Sequence, residues 1–155
     1  MPAAIKAADA PKREGSRYPA PHNELCMNRT KHILGDVFGL NQFGVNLAIL
    51  EPGAWSSQRH AHEKEDEFIF VLEGEITLSD DDGDHILTPG MCAGFKAGTG
   101  NGHCLKNLTN SPAKYLEIGS RIPNEKVVYN DIDMMTENSS GKWVYTRKDG
   151  SPFPS

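Results

Sequence analysis

Two histidines one residue apart, His60 and His62, precede a cluster of acids and then an apolar run in the stretch SSQRHAHEKEDEFIFVLEGE, residues 56–75. Read as a strand over 56–62, the stretch sends His60 and His62 to one face and Arg59 and Ala61 to the other, because side chains alternate across a strand. Gln58 falls on the histidine face, where it is placed to orient a ligand; the alternative is a polar strand end. After the turn EKED, Glu67 begins a run whose alternate members are Ile69 and Val71, so Glu67 enters on the core side. An ionised carboxylate facing a core is costly unless a cation or donor meets it. A metal held between Glu67 and the two imidazoles removes that cost. Glu63 and Glu65 are competing carboxylates, ranked lower because the turn should leave them solvated.

The fourth ligand should come from a later strand. His103, directly after the loop KAGTGNG, is the histidine there with a suitable setting. Three neutral imidazoles and one carboxylate suit one divalent first-row ion per chain, Fe, Mn, Ni, Co or Zn, and are too rich in nitrogen for Ca or Mg. Such an ion keeps open positions for water or substrate. The alternative is a hydrogen-bonded polar patch without metal. Asn107 shares the His103 face and is a candidate substrate contact, with a structural amide satisfying a turn as its other reading. GTGNGH superficially suggests a phosphate loop, but those loops work by presenting a helix N-terminus and no helix follows. Cys104 points away from His103, which argues against a Cys-His pair. No side chain stands out as a general base.

These residues need a β scaffold. From residue 31 to about 120 the chain breaks into short runs rich in Val, Ile, Leu and Phe, separated by Gly, Pro, Asn or Asp turns. Strands are expected at 44–50, 56–62, 67–79, 84–89, 91–95, 103–108 and 113–119, with a short helix or turn and one more strand in the tail. Seven short strands at this spacing indicate an all-β sandwich or barrel. Residues 1–24 carry Pro2, Pro11, Pro19 and Pro21 and read as an extended N-terminal arm. At 155 residues with 37% hydrophobic and 24% charged residues, the rest fits one domain, residues 25–155.

A formal charge of -5 argues against nucleic acid or an anionic membrane as partner, because both need basic surface. Three cysteines without CxxC spacing suggest neither a disulfide framework nor a thiolate zinc site, and a reducing cytoplasm is expected. The N-terminal stretch lacks the apolar core of a signal peptide. Phe68, Phe70 and Leu72 make the second face of the central strand apolar, which calls for a cover. A homodimer is expected.

The spacing resembles the cupin superfamily. Its first motif is met by Gly53, His60, His62, Glu67 and Gly74, with a first spacer one residue longer than usual, which a bulge could absorb. Its second motif is met by Gly90, Gly98, His103 and Asn107, whereas Lys96 stands where proline is usual. Lys96 is thereby a candidate for an acidic substrate group at the barrel mouth, or an exposed loop lysine. The resemblance implies a double-stranded β-helix, the cupin jelly-roll barrel, with His60, His62, Glu67 and His103 as metal ligands. It also implies a metal-dependent dioxygenase, isomerase or decarboxylase acting on a small carboxylate, keto-enol or sugar inside a largely apolar barrel. The alternative is a non-catalytic module that binds or senses a small molecule. The phrases LGDVFGL and GMCAGFKAGTGNGH are similar to small bacterial single-domain cupins, some labelled sugar-phosphate-isomerase-like, a label resting on fold.

Overall fold

The computed structural model describes residues 1–154 of the chain. It is all-β, with thirteen strands in three antiparallel sheets and three short 3-10 turns. β1 (Lys12–Glu14), β2 (Arg29–Ile33), β3 (Phe43–Leu50), β10 (Ala113–Ser120), β5 (Glu67–Glu73) and β8 (Cys92–Phe95) form a six-stranded sheet in the order β1-β2-β3-β10-β5-β8. β13 (Lys142–Thr146), β12 (Met135–Ser139), β11 (Lys126–Tyr129) and β4 (His60–His62) form a second sheet, and β7 (Gly83–Leu87), β6 (Ile76–Asp80) and β9 (Cys104–Lys106) a third. None of the three closes on itself as a hydrogen-bonded barrel among the described residues. No helix of the described residues is long and apolar enough to cross a membrane.

Several expected boundaries shift. The run 67–79 is two strands in two different sheets, divided at Gly74. Gly74 has φ +77°, and a Cβ there would lie 2.6 Å from the Pro112 carbonyl oxygen, so only glycine makes this turn without strain. Only His60–His62 of 56–62 is strand; Ser56–Arg59 bends. The longer spacer after Gly53 is therefore accommodated in a loop rather than by a bulge. Among the described residues the tail holds three strands and no helix. The N-terminal stretch holds a 3-10 turn at Ala7–Asp9 and β1, which joins the sheet by pairing with β2, Arg13 opposite Lys31.

The six-stranded sheet is apolar on both faces at β5. Ile69 and Val71 turn inward and are buried, whereas Phe68, Phe70 and Leu72 are 40%, 37% and 49% exposed on the outside. The inward residues join Ala48, Leu50, Ile76, Leu105 and Tyr115 in one core. Burying a side chain such as Leu50 or Ile76 contributes about 1.5–3 kcal/mol. A smaller cluster of Val127, Tyr129 and Met134 packs with Tyr18 and Tyr145 under the second sheet. Between the six-stranded sheet and the second sheet lies a cavity of ≈ 1100 Å³, lined from one side by Tyr115 and Glu67 and from the other by His60 and Tyr129.

Candidate metal centre

His60 and His62 enter the cavity from β4, which is anchored on β11 through Val127 opposite His62 and Tyr129 opposite His60. Glu67 opens β5 opposite Phe95 of β8 and Gly119 of β10. His103 precedes β9 and faces His60 across an isolated antiparallel bridge. Three separate sheets thus deliver four polar side chains to one place.

The nitrogens converge on the Glu67 carboxylate. His62 Nε2 lies 3.1 Å from Oε1, while His103 Nε2 and His60 Nε2 lie 2.7 Å and 3.7 Å from Oε2. His60, His62 and Glu67 each bring a donor atom within 4.8 Å of the others, and His103 joins them through its contact with Glu67. Despite the short separations, no donor is aligned on Glu67 Oε2, which is buried without a hydrogen bond. Three imidazole nitrogens gathered around one carboxylate, with a buried oxygen left without a hydrogen bond, are what a cation between them would satisfy. The donor set therefore fits a divalent transition ion.

Outer contacts fix the rings. His60 Nδ1 lies 2.9 Å from the Gln58 carbonyl, to which its N–H donates, and 3.2 Å from Ser57 Oγ. That assignment leaves Nε2 as the free lone pair facing the centre. The His103 ring stacks on Phe95 at 3.6 Å with planes 3° apart. His62 Nδ1 faces Glu125 Oε2 at 3.5 Å and Glu65 Oε2 at 3.7 Å. His62, Glu65 and Glu125 form a second group that could hold a metal. Glu125 is however fully buried and accepts from the backbone N–H groups of Lys64, Glu65 and Lys126 at 3.0, 2.5 and 2.7 Å, so it acts as the anchor of the loop between β4 and β5.

Burial opposes ionisation of Glu67, but the close imidazoles of His103, His60 and His62 outweigh it and hold its pKa well below 4.5. His62 is raised above 6.5: burial disfavours its cation, and Glu67, Glu65 and Glu125 overcome that. His103 is lowered, by burial first, with Glu67 opposing. Glu65 is buried rather than solvated, accepts from the Ile122 N–H at 2.9 Å, and has a pKa raised by that burial.

The expected ligand-contacting residues are placed elsewhere. Gln58 precedes the strand, and its amide donates 2.9 Å to the His22 carbonyl. Asn107 is fully buried and saturated: its Nδ2 donates to the Leu50 and Ser111 carbonyls, both at 2.8 Å, and its Oδ1 accepts from Thr109. Lys96 is exposed and lines a separate cavity of ≈ 300 Å³ that reaches His62 and His103 from the other side. None of the three is among the residues lining the large cavity.

The cavity wall carries polar and charged groups, unlike the largely apolar barrel that the resemblance implies. On the inner face of the six-stranded sheet, Lys31 Nζ meets Glu117 Oε1 at 2.7 Å, and Asn46 Nδ2 donates to the same oxygen at 2.9 Å. Burial works against the Glu117 carboxylate, and Lys31 and Asn46 still hold its pKa low. The Tyr115 hydroxyl is buried without a hydrogen-bond partner, and burial raises its pKa well above 10, so it stays protonated. The alternation RTKHI at 29–33, with Arg29 and Lys31 on one face, was the available signal for this polar wall.

Comparison with known proteins gives consistent relatives. The Cupin domain family matches residues 46–119. A sugar phosphate isomerase of a cupin superfamily from Silicibacter pomeroyi superposes with a TM-score of 0.93 at 46% identity, covering 98% of this chain and 97% of that one. A candidate sugar phosphate isomerase from Acidithiobacillus ferrooxidans gives a TM-score of 0.73 at 28% identity, with 82% and 81% covered. The polyketide cyclase from Streptomyces resistomycificus, at 20% identity and TM-score 0.64, covering 77% and 80%, shares the fold. No curated protein sequence matches the chain.

Proposed function

The chain belongs to the cupin superfamily, and on that premise we propose that it is a metal-dependent enzyme acting on a small oxygen-rich metabolite, with His60, His62, Glu67 and His103 holding one divalent transition metal. The observation that carries this reading is the ionised Glu67 ringed by three imidazoles, with its buried Oε2 lacking any hydrogen bond. When bound, the ion supplies a Lewis acid that can chelate a carboxylate, keto-enol or sugar oxygen. Tyr115, kept protonated beside the site, donates a hydrogen bond to a ligand oxygen. The Lys31–Glu117–Asn46 group orients the polar face of the same ligand. Gln58, Lys96 and Asn107 take no part in this large cavity.

Similarity to a sugar phosphate isomerase at 46% identity supports isomerisation ahead of dioxygen insertion or decarboxylation. Two sheets facing each other across the cavity support the jelly-roll reading of the fold, with residues 1–24 as the arm and 25–155 as the domain. The second reading is a non-catalytic binding module. A panel of sugar phosphates followed by NMR, beside keto acids and catechols followed by oxygen uptake, separates them. Turnover by metal-loaded protein that His103→Ala abolishes is the expected result; binding without turnover across the panel would favour the module.

The exposed row Phe68, Phe70 and Leu72 supports a homodimer in which a second copy covers this face, and light scattering should give twice the chain mass. A monomeric mass would count against it. Free cysteines, two of them buried, support a reducing, cytoplasmic setting. The acidic charge supports neither nucleic acid nor membrane as partner.

A further inference from the structure

The N-terminal segment, which holds β1, is fixed at the cavity. Tyr18 inserts its ring edge-on against Tyr129 and Tyr145, with centroids 5.4 and 5.7 Å apart. Gly15, at φ +74°, is clamped to β2 from both sides: its N–H donates to the Arg29 carbonyl at 2.9 Å, and Arg29 Nη2 donates to the Gly15 carbonyl at 2.8 Å. Arg29 Nη1 also donates to the Ser56 carbonyl. These contacts fix the two residues that flank the clamp, Arg13 and Arg17.

Both arginines line the large cavity. Arg13 sits opposite Lys31 in the β1–β2 ladder, and residues paired across antiparallel strands project to one side of the sheet. Lys31 is neutralised by Glu117 at 2.7 Å, and Glu14 by Lys12 at 2.9 Å. Arg13 and Arg17 have no carboxylate within salt-bridge distance and make no side-chain hydrogen bond among the described residues. Two unpaired guanidinium groups thus share a cavity wall in a chain whose net charge is -5. Partial desolvation against that wall, and then Arg17 and Arg29, hold Arg13 below its usual value; neighbouring cations repel unless an anion joins them.

We propose that Arg13 and Arg17 bind an oxyanionic group, phosphate or carboxylate, of a small molecule that enters this cavity. The planar fork of each guanidinium matches the paired oxygens of such a group. Arg29 is a positioning residue, acting through the Gly15 turn. The site rests on the reading of the cavity as the ligand chamber, and it extends that reading to the far end of the ligand, away from the histidines.

Calorimetric titration of the metal-loaded full chain with inorganic phosphate and, separately, with malonate tests this. Wild type should bind at least one probe, more weakly as salt is added, and Arg13→Ala/Arg17→Ala should weaken that binding by at least about tenfold. The double variant should keep the metal content and unfolding midpoint of wild type, since both side chains are exposed; Arg17→Gln alone serves if it does not. The better-bound probe identifies the oxyanion. Equal binding by the double variant, or no binding of either probe to wild type, would overturn the site. Arginine-dependent binding by a protein that carries no metal would leave this site standing and remove the metal reading, so the two failures are distinguishable.

Discussion

His60 and His103 face each other across a two-residue antiparallel bridge: each backbone N–H donates to the other's carbonyl, at 3.1 and 2.9 Å, and their ring centroids stand 4.6 Å apart. The bridge joins β4 of one sheet to the start of β9 of another. Two imidazoles are thereby locked at a fixed separation by backbone rather than by loop packing, so the centre is organised before any ligand arrives.

Glu125 is the hidden support of that centre. It takes three backbone N–H groups, two from the β4–β5 loop and one from Lys126 at the start of β11, and faces His62 Nδ1 at 3.5 Å. Replacing it with Ala strands those donors in the interior, and Glu125→Ala is expected to lose about 2–4 kcal/mol of stability in urea unfolding. Glu125→Gln keeps one acceptor oxygen and should fall between Ala and wild type.

Gly74 divides what would otherwise be one long strand. Gly74→Ala must place a Cβ 2.6 Å from the Pro112 oxygen at φ +77°, and is expected to cost about 2 kcal/mol or more in the same experiment. An unchanged midpoint would mean that the turn relaxes freely.

The pH response of metal binding follows from the imidazoles. In the metal-free protein the His62 pKa is raised above 6.5, so below that value a proton occupies a nitrogen the ion needs. Glu67, with its pKa well below 4.5, is already ionised and adds nothing to the slope near neutrality. Metal affinity should therefore fall as pH drops from about 8 to about 5.5, by up to roughly tenfold per unit for each proton displaced. Competition titration against a chelator at each pH measures it, and a flat profile would exclude imidazole ligation.

Much of the site was legible because its signal is local. Alternation alone put His60 and His62 on one face, and the inward run Ile69 and Val71 put Glu67 on the core side with them. The strands 43–50, 92–95 and 113–120 also appear close to where their apolar runs fall. Gln58 leaves the histidine face because Ser56–Arg59 bends, so strand alternation does not extend through it. Glu125, Glu117 and the arginines gave no such signal: each acts on residues far away in sequence, such as Lys64 on Glu125 or Asn46 on Glu117. Sheet pairing brings them together, and a pattern read along one strand does not carry that information.

Elemental analysis of the chain purified without added metal, beside His60→Ala/His103→Ala, tests the central claim most directly. About one divalent transition ion per wild-type chain, absent from the double variant, is the predicted result. A wild-type protein that stays metal-free after reconstitution, or a double variant that keeps its ion, would contradict it.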